Sequence, residues 1–221
     1  MSALALADRA DALGGGRFGS VVVVYNDEGA EFAQKTFEED EDDEDYNGSL
    51  DVGVFRELST LRLLMAPNCT HPNVLVIHDV TYVDDALNLI MPKFMMDLSS
   101  AIKKSTVPKG PPRVKVAHGL LSALTFLHDN SIIHRDVKTE NVMLDSSGNP
   151  VLIDFSLAKI LTDGEMLTDD THTGNVGSAC YIAPECYRNE EVSRTRFTFA
   201  GLTFWHAVAS PFSTQLQSCN C

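Results

Sequence analysis

One short segment, residues 133–141, constrains this chain more than any other part of its sequence. It reads IHRDVKTEN and places Asp136, Lys138 and Asn141 close together at fixed intervals. Apolar runs lie on both sides of it. A polar turn between two strands is the simplest interpretation, but it explains neither those apolar runs nor the motifs found elsewhere. We therefore interpret the segment as a candidate site of chemistry.

The spacing in this segment resembles the catalytic loop H-R-D-x-K-x-x-N of eukaryotic protein kinases. The resemblance implies a role for each polar side chain. Asp136 would accept a hydroxyl proton, Lys138 would steady the γ-phosphate of ATP, and Asn141 would hold a Mg²⁺ ion. The fold it implies is α+β and two-lobed, with a small antiparallel β-sheet lobe carrying one helix and a mainly helical, incomplete large lobe.

Length and charge limit the function classes. The chain has 221 residues, 44% of them hydrophobic, which is enough for a sizeable core in one or two domains. The net charge is −14, and the acidic run Glu38–Asp45 contributes eight negative charges. An acidic balance argues against binding a nucleic-acid backbone and favours basic peptide partners. We predict that the acidic run is a solvated, disordered insertion.

Cysteine usage and hydropathy indicate the compartment. The five cysteines form no CxxC pair, which is typical of reduced intracellular thiols. The longest aliphatic stretch, Val21–Val24, is too short to span a bilayer, and residues 1–13 lack the apolar region of a signal peptide. We expect a cytoplasmic or nuclear protein that binds neither membrane nor nucleic acid.

Short strands are predicted early in the chain and longer helices later, an order typical of a two-lobed α+β protein. Residues 13–37 predict three strands joined by two turns, a glycine turn over Gly14–Gly19 and a hairpin turn at Asn26-Asp27-Glu28-Gly29. Further strands are predicted over Val74–Val83, Leu87–Met91, Val142–Leu144 and Val151–Ile153, and helices over Val54–Met65, Leu98–Lys104 and Val114–His128. We place the small lobe at residues 1–94, with the acidic insertion at 38–45, and a partial large lobe at 95–221.

A glycine-rich segment, Gly14–Gly19, resembles the phosphate-holding G-x-G-x-x-G-x-V loop of the same family. Glycines let the backbone fold closely over phosphates with N–H groups aimed at the oxygens. A dinucleotide enzyme also uses such a motif, but a helix follows it there, whereas strand-forming residues follow it here. A glycine-rich hairpin without a ligand is the other alternative. The resemblance assigns nucleotide contacts to Leu13, Gly14, Gly16, Gly19 and Val21.

Residues 33–35 resemble the A-x-K of the family's third strand. The resemblance implies that Ala33 contacts the nucleotide and that Lys35 binds its α- and β-phosphates. A helix glutamate should hold that lysine in place, and Glu57 is predicted for this role because Leu61, one turn later, would face the core. The alternative is an exposed strand lysine and a solvated helix glutamate. Without nucleotide, the acidic run could compete for Lys35.

Residues 89–94 resemble the strand that leads into the adenine-binding hinge. The resemblance implies that Met91 is the gatekeeper residue. It also implies that Pro92 offers only its carbonyl oxygen to adenine and that Phe94 donates its backbone N–H. Proline fits the middle position because no N–H is needed there. Met143 completes the predicted nucleotide contacts. A buried strand that ends at a proline is the alternative interpretation.

The sequence Asp154-Phe155-Ser156 resembles the metal-binding D-F-G, with serine in place of glycine. The resemblance implies that Asp154 binds Mg²⁺, that Asn141 holds a second ion, and that Phe155 packs with His134. Because serine lacks the freedom of glycine at positive φ, we predict fewer loop conformations but no loss of metal.

Residues 181–185, YIAPE, resemble the end of a kinase activation segment, with Thr173 and Thr171 as candidate phosphorylation sites. Ser178 together with Lys138 is the pattern of serine/threonine kinases. Beyond Glu185 the resemblance weakens.

Arg196 stands where the family has a buried aspartate, and from the resemblance we expect the large lobe to lack its last helices. These departures predict either a partner chain that covers an exposed helix or a truncated kinase. A serine/threonine kinase and an inactive nucleotide-binding scaffold therefore both remain open.

Overall fold

The computed structural model describes residues 5–6, 12–16, 19–37, 51–67, 69–83, 86–104 and 111–161. These residues form two compact units. The first contains the described residues up to Thr70 and again Leu75–Phe94, and the second contains His71–Val74 and the described residues from Met95 onward. The fold class is α+β, as the sequence predicts.

The first unit is built on an antiparallel sheet. Its strands are β1 (Ala5–Leu6), β2 (Ala12–Gly16), β3 (Gly19–Tyr25), β4 (Glu31–Phe37), β5 (Asp79–Val83) and β6 (Ala86–Pro92). Their order is β1-β3-β4-β6-β5, and β2 also pairs with β3. The central strands supply the sheet's share of the core, because valines of β3, Phe37 of β4 and Leu89 and Ile90 of β6 are buried.

The predicted turn between β3 and β4 forms through local hydrogen bonds. The side-chain oxygen Oδ1 of Asn26 accepts from the backbone N–H groups of Glu28 and Ala30, at 3.0 and 2.8 Å. Gly29 has φ +78°, a conformation that favours glycine. The prediction from the Asn-Asp-Glu-Gly sequence is confirmed.

Helix α1 (Val52–Leu64) follows from its capping residue and its apolar spacing. The side chain of Asp51 accepts a hydrogen bond from the Gly53 N–H, which satisfies one of the free donors at the helix start. Val54, Leu61 and Leu64 are buried on one face of the helix. The predicted helix is present and begins two residues earlier than expected.

The second unit combines helices with short strands. Its elements are β7 (Met96–Asp97), α2 (Leu98–Lys103), α3 (Pro111–Asp129), β8 (Ile132–Ile133), a 3₁₀ turn (Thr139–Asn141), β9 (Val142–Leu144), β10 (Pro150–Leu152) and β11 (Lys159–Ile160). The strands form two small sheets, β10-β9-β7 and β11-β8. Helix α3 begins at Pro111, which suits a first helical position where no N–H is needed.

The core of the second unit lies along α3. Its buried side chains recur at helical spacing, at Val116, Leu120, Ala123, Leu124 and Leu127. This face packs on β8 and β10. The catalytic-loop segment follows β8 and precedes β9 and β10 in the chain. Helix α3 therefore supports a strand on each side of that segment.

Several sequence predictions are wrong in their boundaries, and α3 begins three residues before the predicted Val114. The strand predicted from Val74 begins only at Asp79, because Val74 pairs instead with Leu152 and the Asn73 carbonyl accepts from the Leu152 N–H at 2.9 Å. The glycine turn predicted over Gly14–Gly19 is shorter, because Gly14, Gly15 and Gly16 lie in β2 and pair with β3.

Candidate active site

The first group of predicted site residues centres on Lys35. Strand β4 places Lys35 between Val21 of β3 and Leu89 of β6 in the antiparallel register. Its Nζ lies 2.7 Å from Oε2 of Glu57, and the Glu57 side chain is only 2% exposed. The same Nζ lies 4.8 Å from the centroid of the Phe37 ring. The ammonium group is thus held by an ion pair and by a cation–π contact.

The side chains of β4 point alternately to the two faces of the sheet, and this explains why these groups meet. Side chains two residues apart in a strand point to the same face, so Ala33, Lys35 and Phe37 share one face of the sheet. Glu57 lies in α1 and follows Lys35 by 22 residues in the sequence. The ion pair between the two predicted residues is present, and its role in binding nucleotide stays a prediction.

The glycine segment forms the end of a hairpin. Gly14 pairs with Val21 and Gly16 with Gly19, and a register shift between Ala12 and Gly14 marks a bulge at Leu13. Gly19 has φ +128°, within the region that favours glycine. A strand follows the glycines, as in the kinase-like interpretation and unlike a dinucleotide site.

The predicted hinge residues lie at the end of β6. Met91 is buried and pairs with Ala33, whereas Pro92 is exposed and pairs with Phe32. Phe94 is half-buried just beyond the strand. The structure therefore brings Ala33 and Met91, two predicted nucleotide contacts, to adjacent strands.

The second group is the catalytic-loop cluster in the second unit. Oδ2 of Asp136 accepts from Nζ of Lys138 at 2.7 Å and from Nδ2 of Asn141 at 2.9 Å. Nδ2 of Asn141 also donates to the Asp136 carbonyl oxygen at 2.9 Å. Asp136 and Asn141 are buried, and Lys138 is partly exposed. The three residues that the resemblance selected thus form one hydrogen-bonded cluster, with a carboxylate able to accept a proton.

His134 anchors this cluster. Its Nδ1 accepts from the Asp136 N–H at 3.3 Å, so the ring proton lies on Nε2, which donates to the Ile153 carbonyl at 2.9 Å. Burial lowers the pKa of His134, which favours this neutral form. The ring also packs against Phe155, at 5.0 Å between centroids. The contact with Phe155 was predicted, but the hydrogen bonds that tie the loop to Ile153 were not, because only tertiary structure brings them together.

Asn141 and Asp154 fit a magnesium site by their chemistry. Carboxylate and amide oxygens are the hard ligands that Mg²⁺ prefers. The Asn141 Nδ2 donates to Asp136, which leaves the amide oxygen Oδ1 as its ligating atom. The Ile153 N–H donates to the Asn141 carbonyl at 2.9 Å, and this bond holds the two ligand-bearing segments side by side. These two residues would hold the ion; their metal role stays a prediction.

The D-F-S segment differs from the expectation for its backbone. The residue at positive φ is Asp154, at +64°, and Ser156 lies outside that region. Serine at this position therefore causes no backbone strain in this conformation. Its hydroxyl instead donates to Oδ1 of Asp154 at 2.7 Å. Sequence reasoning considered only the backbone and did not predict this contact.

The remaining predicted positions lie outside the described residues. They are the acidic run at 38–45, Thr171, Thr173, Ser178, Glu185 and Arg196. Met143 is described, in β9 opposite Asp97 and Val151, and is half-buried. In the described part of the chain, no helix is long and apolar enough to cross a bilayer.

Comparison with known proteins decides the family. The sequence model of the protein kinase domain matches residues 8–213. The chain belongs to the protein kinase family. The glycine hairpin, the Lys35–Glu57 pair and the Asp136 cluster lie within the matched residues, and their roles in this chain stay predictions.

Individual relatives point to serine/threonine kinases. CBL-interacting serine/threonine-protein kinase 21 of Arabidopsis thaliana is 32% identical over 145 residues, covering 65% of this chain and 32% of that protein. Serine/threonine-protein kinase PknH of Mycobacterium bovis is 35% identical over 143 residues, covering 63% and 23%. The rice serine/threonine protein kinase OSK3 is 27% identical over 148 residues, covering 66% and 28%. The match thus spans between about a quarter and a third of these relatives' length.

Proposed function

We propose that this kinase-family chain is an active serine/threonine kinase, which transfers the γ-phosphoryl group of ATP to hydroxyl groups of protein substrates. The observation that carries the proposal is the cluster in which Asp136 accepts hydrogen bonds from Lys138 and Asn141. A buried carboxylate beside an ammonium is suited to accept a proton while a neighbouring cation offsets the charge of a phosphoryl group.

Each residue contributes one part of the transfer. Asp136 accepts the proton as the substrate oxygen forms its bond to the γ-phosphorus and the bond to the leaving ADP oxygen breaks. Lys138 stabilises the negative charge on the transferring group. Lys35, held by Glu57, positions the α- and β-phosphates. Bound Mg²⁺ would supply neutralisation of phosphate charge, and Asn141 and Asp154 would hold it.

Charge supports a class of substrate. The formal net charge of −14 favours proteins with basic segments around the acceptor serine or threonine. It disfavours nucleic acid as a partner. We place this activity in the cytoplasm or nucleus, since the five cysteines form no CxxC pair, which is typical of reduced thiols.

The test compares wild type with Asp136→Asn in phosphoryl transfer to a generic basic protein. Asparagine keeps the size of the side chain but cannot act as the base. We expect transfer to fall at least ~100-fold, the lower range for losing a general base, while ATP affinity stays within about twofold. Glu140→Gln, an exposed change in the same loop, is the matched control and should keep full activity. Equal transfer by wild type and Asp136→Asn would exclude Asp136 as the base.

One observation favours a second candidate, a nucleotide-binding module without turnover. Ser156 replaces the expected glycine, and its hydroxyl occupies Oδ1 of Asp154, one of the two oxygens that could bind metal. The same assay separates the two functions. A module would bind ATP, yet its transfer would not exceed that of Asp136→Asn.

A further inference from the structure

The contact between Ser156 and Asp154 is specific to this chain's serine. Both the Ser156 hydroxyl and the Ser156 N–H point to the same carboxylate oxygen, Oδ1 of Asp154, at 2.7 and 3.3 Å. Ser156 is only 4% exposed. Water therefore has little access to compete for this hydrogen bond.

The direction of the bond follows from the chemistry of the two groups. An ionised carboxylate only accepts hydrogen bonds, so the hydroxyl must donate. The distance of 2.7 Å lies at the upper limit of the charge-assisted range for O–H···O⁻ contacts. A glycine at position 156 would offer the N–H alone. The serine therefore adds a second and shorter contact to the same oxygen.

This arrangement leaves the two carboxylate oxygens in different states. Oδ1 is held by both donors of Ser156, whereas Oδ2 accepts no hydrogen bond from any residue that the structure describes. Fixing one oxygen also fixes the rotation of the carboxylate about its χ2 angle. Oδ2 is then presented in a single direction before a metal binds, which reduces the entropy lost on binding.

We propose that the Ser156 hydroxyl is a positioning residue that fixes Asp154 for Mg²⁺, a role that rests on the proposed ATP-binding function. It makes the metal-dependent part of nucleotide binding stronger without touching the nucleotide. Ser156 lies outside the left-handed region, so alanine fits its backbone conformation without strain. The hydroxyl can therefore be removed by itself.

The experiment measures the dissociation constant of ATP with excess Mg²⁺ and again with EDTA, in the full 221-residue chain. The dissociation constant in EDTA divided by that in Mg²⁺ isolates the contribution of the metal, and we call this quotient the Mg²⁺ ratio. We expect Ser156→Ala to reduce this ratio by about tenfold, the effect of losing one hydrogen bond to a charged group. Metal-free ATP binding should remain within about twofold, and Ser156→Thr, which keeps a hydroxyl, should restore most of the ratio.

A matched control exists in the turn between β9 and β10. There, the Ser147 N–H donates to Oδ1 of Asp145, two residues earlier, at 2.8 Å. Ser147 is exposed and is not among the predicted site residues. Ser147→Ala should leave the Mg²⁺ ratio unchanged, because it removes a hydroxyl at the same spacing without affecting Asp154.

The outcomes separate this inference from the proposed function. A wild-type chain whose ATP binding is unaffected by Mg²⁺ would overturn both. Metal-dependent binding that is equal in wild type, Ser156→Ala and Ser156→Gly would overturn only the positioning role. Ser156→Gly gives the same decision if the alanine variant does not fold, because it removes the hydroxyl while keeping the N–H. A similar loss of metal-free ATP binding in both variants would also overturn the positioning role, since it would indicate that the substitutions disrupt the fold.

Discussion

Nζ of Lys35 lies 2.7 Å from Oε2 of Glu57, and the two side chains are 17% and 2% exposed. The glutamate is thus nearly removed from water, while the lysine keeps partial access to it. A carboxylate in this position is stable only with its charge compensated, because burying an unpaired charge is costly. The pair therefore links the stability of α1 to the residue predicted to bind phosphate.

Glu57→Gln should destabilise the fold and weaken ATP binding. Exposed ion pairs contribute about 0.5 kcal/mol, whereas breaking a buried pair costs roughly 3–5 kcal/mol. Since Lys35 is partly exposed, we expect an intermediate loss of about 2 kcal/mol in the free energy of unfolding. Thermal melting with and without ATP measures both effects. Glu31→Gln, which removes the exposed Lys93–Glu31 pair at 2.8 Å, is the control and should change the melting temperature little.

Thr60→Val should stabilise the protein. The Thr60 hydroxyl is buried in α1 and has no hydrogen-bond partner among the described residues. Valine has nearly the same shape and removes the cost of desolvating that group, so we expect a gain of about 1 kcal/mol. Thr125→Val is the control, since its hydroxyl donates to the Leu121 carbonyl at 3.0 Å. Chemical denaturation of both variants checks the prediction, and a loss of stability in Thr60→Val would contradict it.

Gly119→Ala should destabilise the second unit. A Cβ at this position in α3 would lie 2.6 Å from Cγ of Pro150 and 3.0 Å from Nδ2 of Asn73, which donates to the Pro150 carbonyl. Alanine gains about 1 kcal/mol of helix propensity, but overpacking costs about 1–3 kcal/mol and the displaced hydrogen bond about 1 kcal/mol more. We expect a net loss of about 1–3 kcal/mol in unfolding free energy.

A double-mutant cycle assigns the cause of that loss. Pro150→Ala removes the ring atom that the new methyl group meets, so Gly119→Ala should cost less in its presence. His118→Ala, an exposed change on the same helix, should gain stability from propensity alone. An equal cost for Gly119→Ala in both backgrounds would exclude the clash as its cause.

His71 should make stability depend on pH. Its Nδ1 accepts from the Asn73 N–H at 3.1 Å, so Nε2 carries the proton and donates to Oγ of Ser122 at 2.9 Å. Burial lowers the pKa of His71 below its usual value. The folded state therefore binds fewer protons than the unfolded state. The stabilisation is complete above the unfolded pKa of about 6.5 and is lost as pH falls through the lower folded pKa.

The measurement compares melting temperatures at pH 7.5 and pH 5 for wild type and His71→Gln. Glutamine does not titrate, so the variant should lose less stability on acidification than wild type. Burial also lowers the pKa of His134, which titrates in the same direction in both proteins and cancels in the comparison. Identical pH dependence in the two proteins would show that His71 does not contribute.

Sequence reasoning succeeded where neighbouring residues determine the conformation. The Asn26 turn and the apolar face of α3 both follow from hydrogen bonds or spacings within a few residues. It failed at Val74, whose apolar and β-branched neighbourhood indicates a strand. Pairing with Leu152, far along the chain, takes that residue out of the sheet of the first unit.

The candidate site shows the same difference between features set by neighbouring residues and features set by distant ones. The resemblance to a catalytic loop selected Asp136, Lys138 and Asn141 from the sequence as candidates, and because they lie within six positions their short loop brings them together. How these residues are held depends on contacts between segments that lie far apart in the sequence. The His134 bond to Ile153, the Lys35–Glu57 pair and the Ser156 hydroxyl on Asp154 depend on side-chain directions set by strand pairing and packing. A linear pattern specifies residue types and intervals, whereas such directions arise only once distant segments share a core.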